Sequence, residues 1–263
     1  MNFGLGGLSE IVLVFMLVLL LFGTKEVPHI FRELARLFAK IKTYTDKIKR
    51  ELDEAIKIDE PKNSYESLHQ KKKKELRLQY REARKGLTAQ QRIEKSNEIW
   101  KHLVETPQYK SARSIMVYSN IGFEVETRMH IIDMLSEGKR VILPYCKNTI
   151  NELGIGEIKD IEKDVAAGSF GITEPVEAMR GNFFKSDLQL VICPAVAFDH
   201  DGGRLGNGKG YYDTFLKELK HKVPLFGIAF DCQILQENLP FDYHDVAMDQ
   251  VITESGLLLK QGE

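Results

Sequence analysis

Asp199–Asp213 reads DHDGGRLGNGKGYYD, between a strongly apolar run, Leu188–Phe198 (LQLVICPAVAF), and a helix-like segment, Thr214–Lys222. Five of the nine residues from Gly202 to Gly210 are glycine, so few side chains obstruct a close ligand. Arg204 and Lys209 add two cations. A Gly-rich turn from a buried strand into a helix start aims several N–H groups and the positive helix end at one place, which suits a phosphate. A plain surface loop also tolerates glycines, but it does not call for cations and the aromatic pair Tyr211–Tyr212 at set positions. Neither familiar phosphate fingerprint is present. A P-loop requires Ser or Thr after its Lys, and here Gly210 follows Lys209; Gly206–Gly210 gives G-x-G-x-G, not G-x-G-x-x-G.

Working outward, apolar runs alternate with helical patterns. Ser114–Tyr118 (SIMVY), Arg140–Tyr145 (RVILPY), Leu153–Ile158 and Leu225–Phe230 (LFGIAF) read as strands. Helices are expected from Lys71 through Lys85, over Thr88–Leu103 with Thr88 as N-cap and Trp100 as the sole Trp, and over Thr127–Glu137. This alternation predicts an α/β fold, a mostly parallel sheet covered by helices on both faces. Ligands of such sheets gather at the carboxyl ends of strands, where the Tyr118–Thr127 loop and the Gly-rich loop both fall.

At 263 residues and 43% hydrophobic content the chain suits one large domain, or a domain plus an appendage. A net charge of −1, with no basic patch interleaved with aromatics, argues against a nucleic-acid partner. Cys146, Cys193 and Cys232 are widely spaced and odd in number, so reduced thiols in a reducing compartment are expected.

The Gly-rich stretch resembles 5-formyltetrahydrofolate cyclo-ligase, whose hallmark R-L-G-x-G-x-G-Y-Y-D follows a strand ending P-x-x-x-F-D. Both halves stand here, as Pro194–Asp199 and Arg204–Asp213, and the resemblance runs from about Lys71 to Leu258. It implies ATP- and Mg²⁺-dependent closure of 5-formyltetrahydrofolate to 5,10-methenyltetrahydrofolate, with release of ADP and phosphate. It assigns nucleotide contacts to Lys73, Arg77, Arg204, Leu205, Gly206, Asn207, Gly208, Lys209, Gly210, Tyr211 and Tyr212, with Lys209 and Arg204 as the catalytic cations. Lys73 and Arg77 lie in Lys-Lys-Glu-Leu-Arg, one helical turn apart on one face. Taken alone, the Lys71–Lys74 run is a solvated helix start. Ser119, Glu124 and Tyr211 are the implied folate contacts; a carboxylate at Glu124 suits the paired N–H edge of a pterin. Tyr211 serves equally well as packing. The segment Gly168–Pro175 (GSFGITEP) also resembles the family near its pocket. His244 and Asp245 alone read as a metal site or a turn cap; the pattern L-P-x-x-x-H-D-x-x-x-D matches Leu239–Asp249 and assigns Asp245, with Asp213, to magnesium. Asn207 occupies a variable position of the motif, where many relatives carry Arg or another large residue, so any charge supplied there is absent.

The first 60 residues differ in composition from the rest. Ile11–Phe22 (IVLVFMLVLLLF) is twelve apolar residues, about 18 Å of helix against a hydrocarbon layer of ~30 Å. A signal peptide requires a basic start and a small-residue cleavage site, which are missing; a buried core helix is the ordinary alternative. Phe22-Gly23-Thr24 ends the run, Pro28 opens a new helical pattern, and apolar residues from Val27 to Leu52 recur opposite a basic face. The helix suits a membrane interface, or packs on the enzyme or in a coiled coil. The order resembles the A/B-type subunits of the twin-arginine translocase, with Gly6–Glu10, Leu19–Gly23, Lys25 and Pro28 as the matching residues. That resemblance implies a short transmembrane helix followed by an amphipathic helix over 1–55, translocase subunits as partners, and an alternative role in protein export. The positive-inside rule places the N-terminus outside and the rest in the cytoplasm, anchored to the inner membrane. Residues 56–70 read as a linker, and 71–263 as the cyclo-ligase-like domain.

Overall fold

The computed structural model describes residues 64–147, 151–168 and 171–258. The expected membrane segment and amphipathic helix over 1–55 lie outside the described residues. Among the described residues no helix is long and apolar enough to cross a membrane. A compact unit begins at Leu68 and includes the described residues from there to Leu258.

Seven strands form the main sheet: β1 (Ser114–Met116), β2 (Arg140–Cys146), β3 (Leu153–Ile158), β6 (Leu190–Cys193), β9 (Leu225–Ile228), β10 (Gln250–Thr253) and β11 (Gly256–Leu258). Their order is β11-β10-β9-β6-β1-β2-β3. The inner pairings are parallel, while β3 on β2 and β11 on β10 are antiparallel. Two short ribbons complete the strands, β4 (Val165–Ala167) with β5 (Thr173–Pro175) and β7 (Ala197–Phe198) with β8 (Arg204–Leu205).

Residues alternate faces along each strand, and both faces are apolar, as a doubly covered sheet requires. Ile115, Val141, Leu190, Phe226 and Ile252 pack with Ile99, Trp100 and Leu103 of α2 (Ala89–Glu105) and with Ile131 and Met134 of α4 (Arg128–Ser136). Met116, Ile142, Val191, Cys193 and Val251 pack with Phe215 and Leu216 of α5 (Tyr211–Lys217) on the other face. A five-residue helix, α3 (Pro107–Ser111), follows α2. Thr88 caps α2 through a reciprocal capping box with Gln91. The cysteines are all free, with Cys193 buried and the other two half-buried.

Several expected boundaries move. Helix α1 runs Ser64–Lys85, starting inside the stretch read as linker, because no Gly or Pro interrupts the chain between Asn63 and Gly86. The strand read over Ser114–Tyr118 ends at Met116. Leu188–Phe198 is two strands, since Pro194 cannot donate to the ladder. The helix expected over Thr214–Lys222 instead begins at Tyr211 and ends at Lys217, because Gly210 (φ +70) turns the chain straight into it. Pro144 sits at the point in β2 where the ladder to β1 stops: the last bond on that side runs from the Val117 N–H to the Ile142 carbonyl at 2.9 Å, and Pro144 has no N–H to continue it.

Candidate functional site

From β1 the chain crosses to β2 on one side, and later from β6 to β9 on the other. The strands' carboxyl ends diverge at this switch point, and a cavity of about 430 Å³ opens there. Tyr118 and Ser119 follow β1, Pro144 to Cys146 close β2, and Pro194 and Ala195 follow β6; all line it. So does every site residue expected from the sequence, from Lys73 to Asp245.

The Gly-rich segment forms the cavity's polar end, and Asp199 fixes its shape. The buried Asp199 carboxylate accepts from the backbone N–H of Gly203 (2.6 Å), Asp201 (3.0 Å) and Leu239 (2.8 Å). Gly202, at φ +84, admits no side chain: a Cβ would stand 2.4 Å from the Met248 carbonyl. Arg204 then points inward, its side chain 3% exposed, and donates to Asp213 Oδ1 at 2.7 Å while lying 5.3 Å above the Tyr212 ring. Asp213 falls in the first turn of α5. Seven residues make little macrodipole, so the anion-binding character rests on loop amides and side-chain cations rather than on the helix end expected from the sequence.

Helix α1 lays Lys73, Arg77, Arg81 and Arg84 along its inward face at three- and four-residue spacing. Leu76 and Tyr80 of the same face pack on Ala197 and Leu205, which ties the helix to the base of the loop. Arg77 Nε donates to the Gly206 carbonyl at 2.8 Å, and its Cζ lies 3.3 Å from where a Gly208 Cβ would be. Lys73 is buried, with its ammonium 2.7 Å from Asp242 Oδ2 and 2.6 Å from Asp245 Oδ2. Burial alone lowers the Lys73 pKa, but the hydrogen bonds and charges of both carboxylates outweigh it, and the value ends raised. Burial likewise opposes ionisation of Asp242, yet Lys73 and His69 hold it below its ordinary value.

Glu124 marks the opposite, drier end. Burial raises its pKa, opposed by Arg84 at 3.8 Å and by the Ile121 N–H at 3.1 Å. Its loop is fastened at Glu126, whose N–H donates to Ser96 Oγ and whose carbonyl accepts from Trp100 Nε1. A second buried carboxylate, Glu174, accepts from the Cys146 N–H and meets Arg180 at 3.2 Å. Glu174 and Ile172 place the GSFGITEP segment on the cavity, with Ser169 and Phe170 outside the described residues.

The sequence reading missed Arg81, Arg84, Glu174 and Asp242. The first two had a signal, the continuing spacing from Lys73 and Arg77. Asp242 had one in its closeness to Asp245. Glu174 had none beyond its segment. Ligand atoms of Asp242, His244 and Asp245 lie within 4.8 Å of one another, a grouping able to hold a cation.

Residues 69–254 match the model of the 5-formyltetrahydrofolate cyclo-ligase family, and residues 3–51 match that of the mttA/Hcf106 family. The chain is 30% identical to the mouse 5-formyltetrahydrofolate cyclo-ligase over 190 residues, 69% of this chain and 93% of that one. It is also 30% identical to the Escherichia coli K12 enzyme of that name over 180 residues, 66% of this chain and 96% of that one. The solution structure of Aquifex aeolicus 5,10-methenyltetrahydrofolate synthetase superposes with a TM-score of 0.62 at 32% identity, covering 73% of this chain and 94% of that one. By the extent of the first match and the cavity it encloses, the chain belongs to the 5-formyltetrahydrofolate cyclo-ligase family.

Proposed function

We propose that the cavity binds ATP at its Gly-rich end and 5-formyltetrahydrofolate at its Glu124 end, and closes the folate to 5,10-methenyltetrahydrofolate. One observation carries this reading. A loop of exposed amides and cations and a buried carboxylate face a single cavity of about 430 Å³, within the usual range of ~300–1,000 Å³ for small-molecule sites.

Arg77, Lys209 and the amides of Gly206–Gly210 hold the phosphates, while the Glu124 carboxylate takes the paired N–H edge of the pterin. Ser119 and Tyr211 complete the folate side. The formyl oxygen attacks the γ-phosphorus and ADP departs. N10 then attacks the formyl carbon, its proton is released, and phosphate leaves as the ring closes. The chain's contribution is placement and charge neutralisation. Arg204 orients Asp213, and Lys73 orients Asp245. Each carboxylate meets its cation through one oxygen, Oδ1 of Asp213 and Oδ2 of Asp245, so hard oxygen donors remain for magnesium, with Asp242 beside them. Magnesium held there would supply charge neutralisation to the phosphate oxygens.

Full-length protein, 5-formyltetrahydrofolate, ATP and Mg²⁺ are expected to give a methenyl product absorbing in the near ultraviolet, and omitting ATP or Mg²⁺ removes it. Folded protein that forms no product with all components present overturns the reading.

We further propose that residues 1–55 anchor the enzyme to the inner membrane, with the N-terminus outside and the catalytic unit in the cytoplasm. The match of residues 3–51 and the apolar run followed by a basic amphipathic pattern support this. Fractionation of cells is expected to place the full chain in the membrane pellet and a chain lacking 1–55 in the soluble fraction. Equal partitioning of the two rejects anchorage.

A further inference from the structure

The cations of the cavity are not equally available. Lys73 is clasped between Asp242 and Asp245, and Arg204 is spent on Asp213. Arg84 faces Glu124. Among the described residues neither Arg77 nor Arg81 forms an ion pair with a carboxylate, although both line the cavity. They project from successive turns of α1 onto the same loop: Arg77 onto the Gly206 carbonyl, and Arg81 onto the amide oxygen of Asn207 at 2.7 Å. Both acceptors are neutral, so neither guanidinium is neutralised by a direct contact. Burial chiefly, and then the neighbouring charge of Arg81, lower the Arg77 pKa, with the charges of Asp245 and Asp213 opposing. Two adjacent guanidinium groups beside a glycine-rich loop form a ready receptor for a polyanion.

We propose that Arg81 is a second phosphate-binding guanidinium, paired with Arg77 and held over the loop by Asn207. The proposal rests on the reading of this end of the cavity as the ATP site. Asn207 acts as a positioning residue: its side-chain oxygen fixes the Arg81 fork without neutralising it, which an Asp at 207 would not do.

Calorimetric titration of the full chain with a non-hydrolysable ATP analogue and Mg²⁺, and separately with tripolyphosphate, tests this. Arg81→Gln is expected to weaken both ligands about tenfold, the order of one charge-assisted contact. It also lowers the dependence of affinity on salt, while 5-formyltetrahydrofolate affinity stays within about twofold by the same arithmetic. Arg81→Lys recovers part of the loss, and Asn207→Asp weakens the analogue more than Asn207→Ala. A surface arginine that merely supports the helix shifts the unfolding midpoint but leaves the salt dependence unchanged. Wild-type and Arg81→Gln proteins that bind the analogue equally, with Arg77→Gln impaired, overturn the Arg81 assignment and leave the ATP site standing. A folded wild-type protein that binds neither probe overturns both.

Discussion

The Lys73 ammonium stands 2.6 Å from Asp245 Oδ2, joining residues 172 positions apart. Asp242 closes the other side at 2.7 Å. Removing the ammonium leaves two neighbouring carboxylates without their cation. Lys73→Met is therefore expected to cost about 2 kcal/mol in urea unfolding, between the values for exposed and buried pairs. Adding Asp245→Asn to Lys73→Met should recover part of that loss, and strict additivity would count against the coupling.

The contact between Lys73 and Asp242 sets two pH limbs. Asp242 lies below its ordinary 3.8 in the folded state, so its stabilisation is complete above that pH and is lost as pH falls through the folded value. Lys73 lies above its ordinary 10.5, so its share is complete below that pH and is lost as pH rises through the folded value. Asp242→Asn should flatten the acid limb of a stability–pH curve, and an unchanged limb would remove the assignment.

Glu124 behaves in the opposite sense, since burial raises it above its ordinary 4.5. Folate binding that requires the carboxylate should weaken as pH falls through that raised value. Glu124→Gln is expected to raise the folate KM about tenfold or more, to leave the ATP KM unchanged, and to abolish this acid limb. Equal effects on both KM values would point to a general collapse of the cavity.

Asp199 answers for three backbone amides, from Gly203, Asp201 and Leu239. Asp199→Ala leaves them without their acceptor, at a cost of about 2–4 kcal/mol, given ~1–3 kcal/mol for each buried donor and some relaxation. Gly202→Ala is strained twice over, by its φ of +84 and by the Met248 carbonyl. Thermal unfolding of both variants should show a lower midpoint, and nucleotide affinity should fall with it.

Trp100 stacks on His130 with centroids 4.6 Å apart and rings 16° from parallel. Burial lowers the His130 pKa below 6.5, with Asp133 at 3.6 Å opposing. The sole Trp should therefore fluoresce fully at neutral pH and be quenched as His130 protonates below its ordinary value. His130→Phe should remove the titration, and a titration that survives this change would exclude His130 as its source.

Where periodicity and local chemistry dictate structure, the sequence was readable. Thr88 and Gln91 announce the start of α2, and the strand residues alternate between two apolar faces. The Arg204–Asp213 motif located the cavity because glycine, cation and aromatic positions there are local in sequence. What escaped notice is non-local. The neutralisation of Lys73 by Asp242 and the fastening of the Glu124 loop by Trp100 and Ser96 depend on tertiary contacts across tens to hundreds of residues. The order β6-β1-β2 likewise follows from strand packing, which no single segment encodes.

The clasp around Lys73 also bears on synthesis. A ribosome adds Lys73 172 residues before Asp245, so the growing chain carries this ammonium without its carboxylate partners through most of that interval. This end of the cavity is then complete only once Asp245 has been added, and a premature stop before Asp245 yields a polypeptide with its glycine loop present but this ion cluster incomplete.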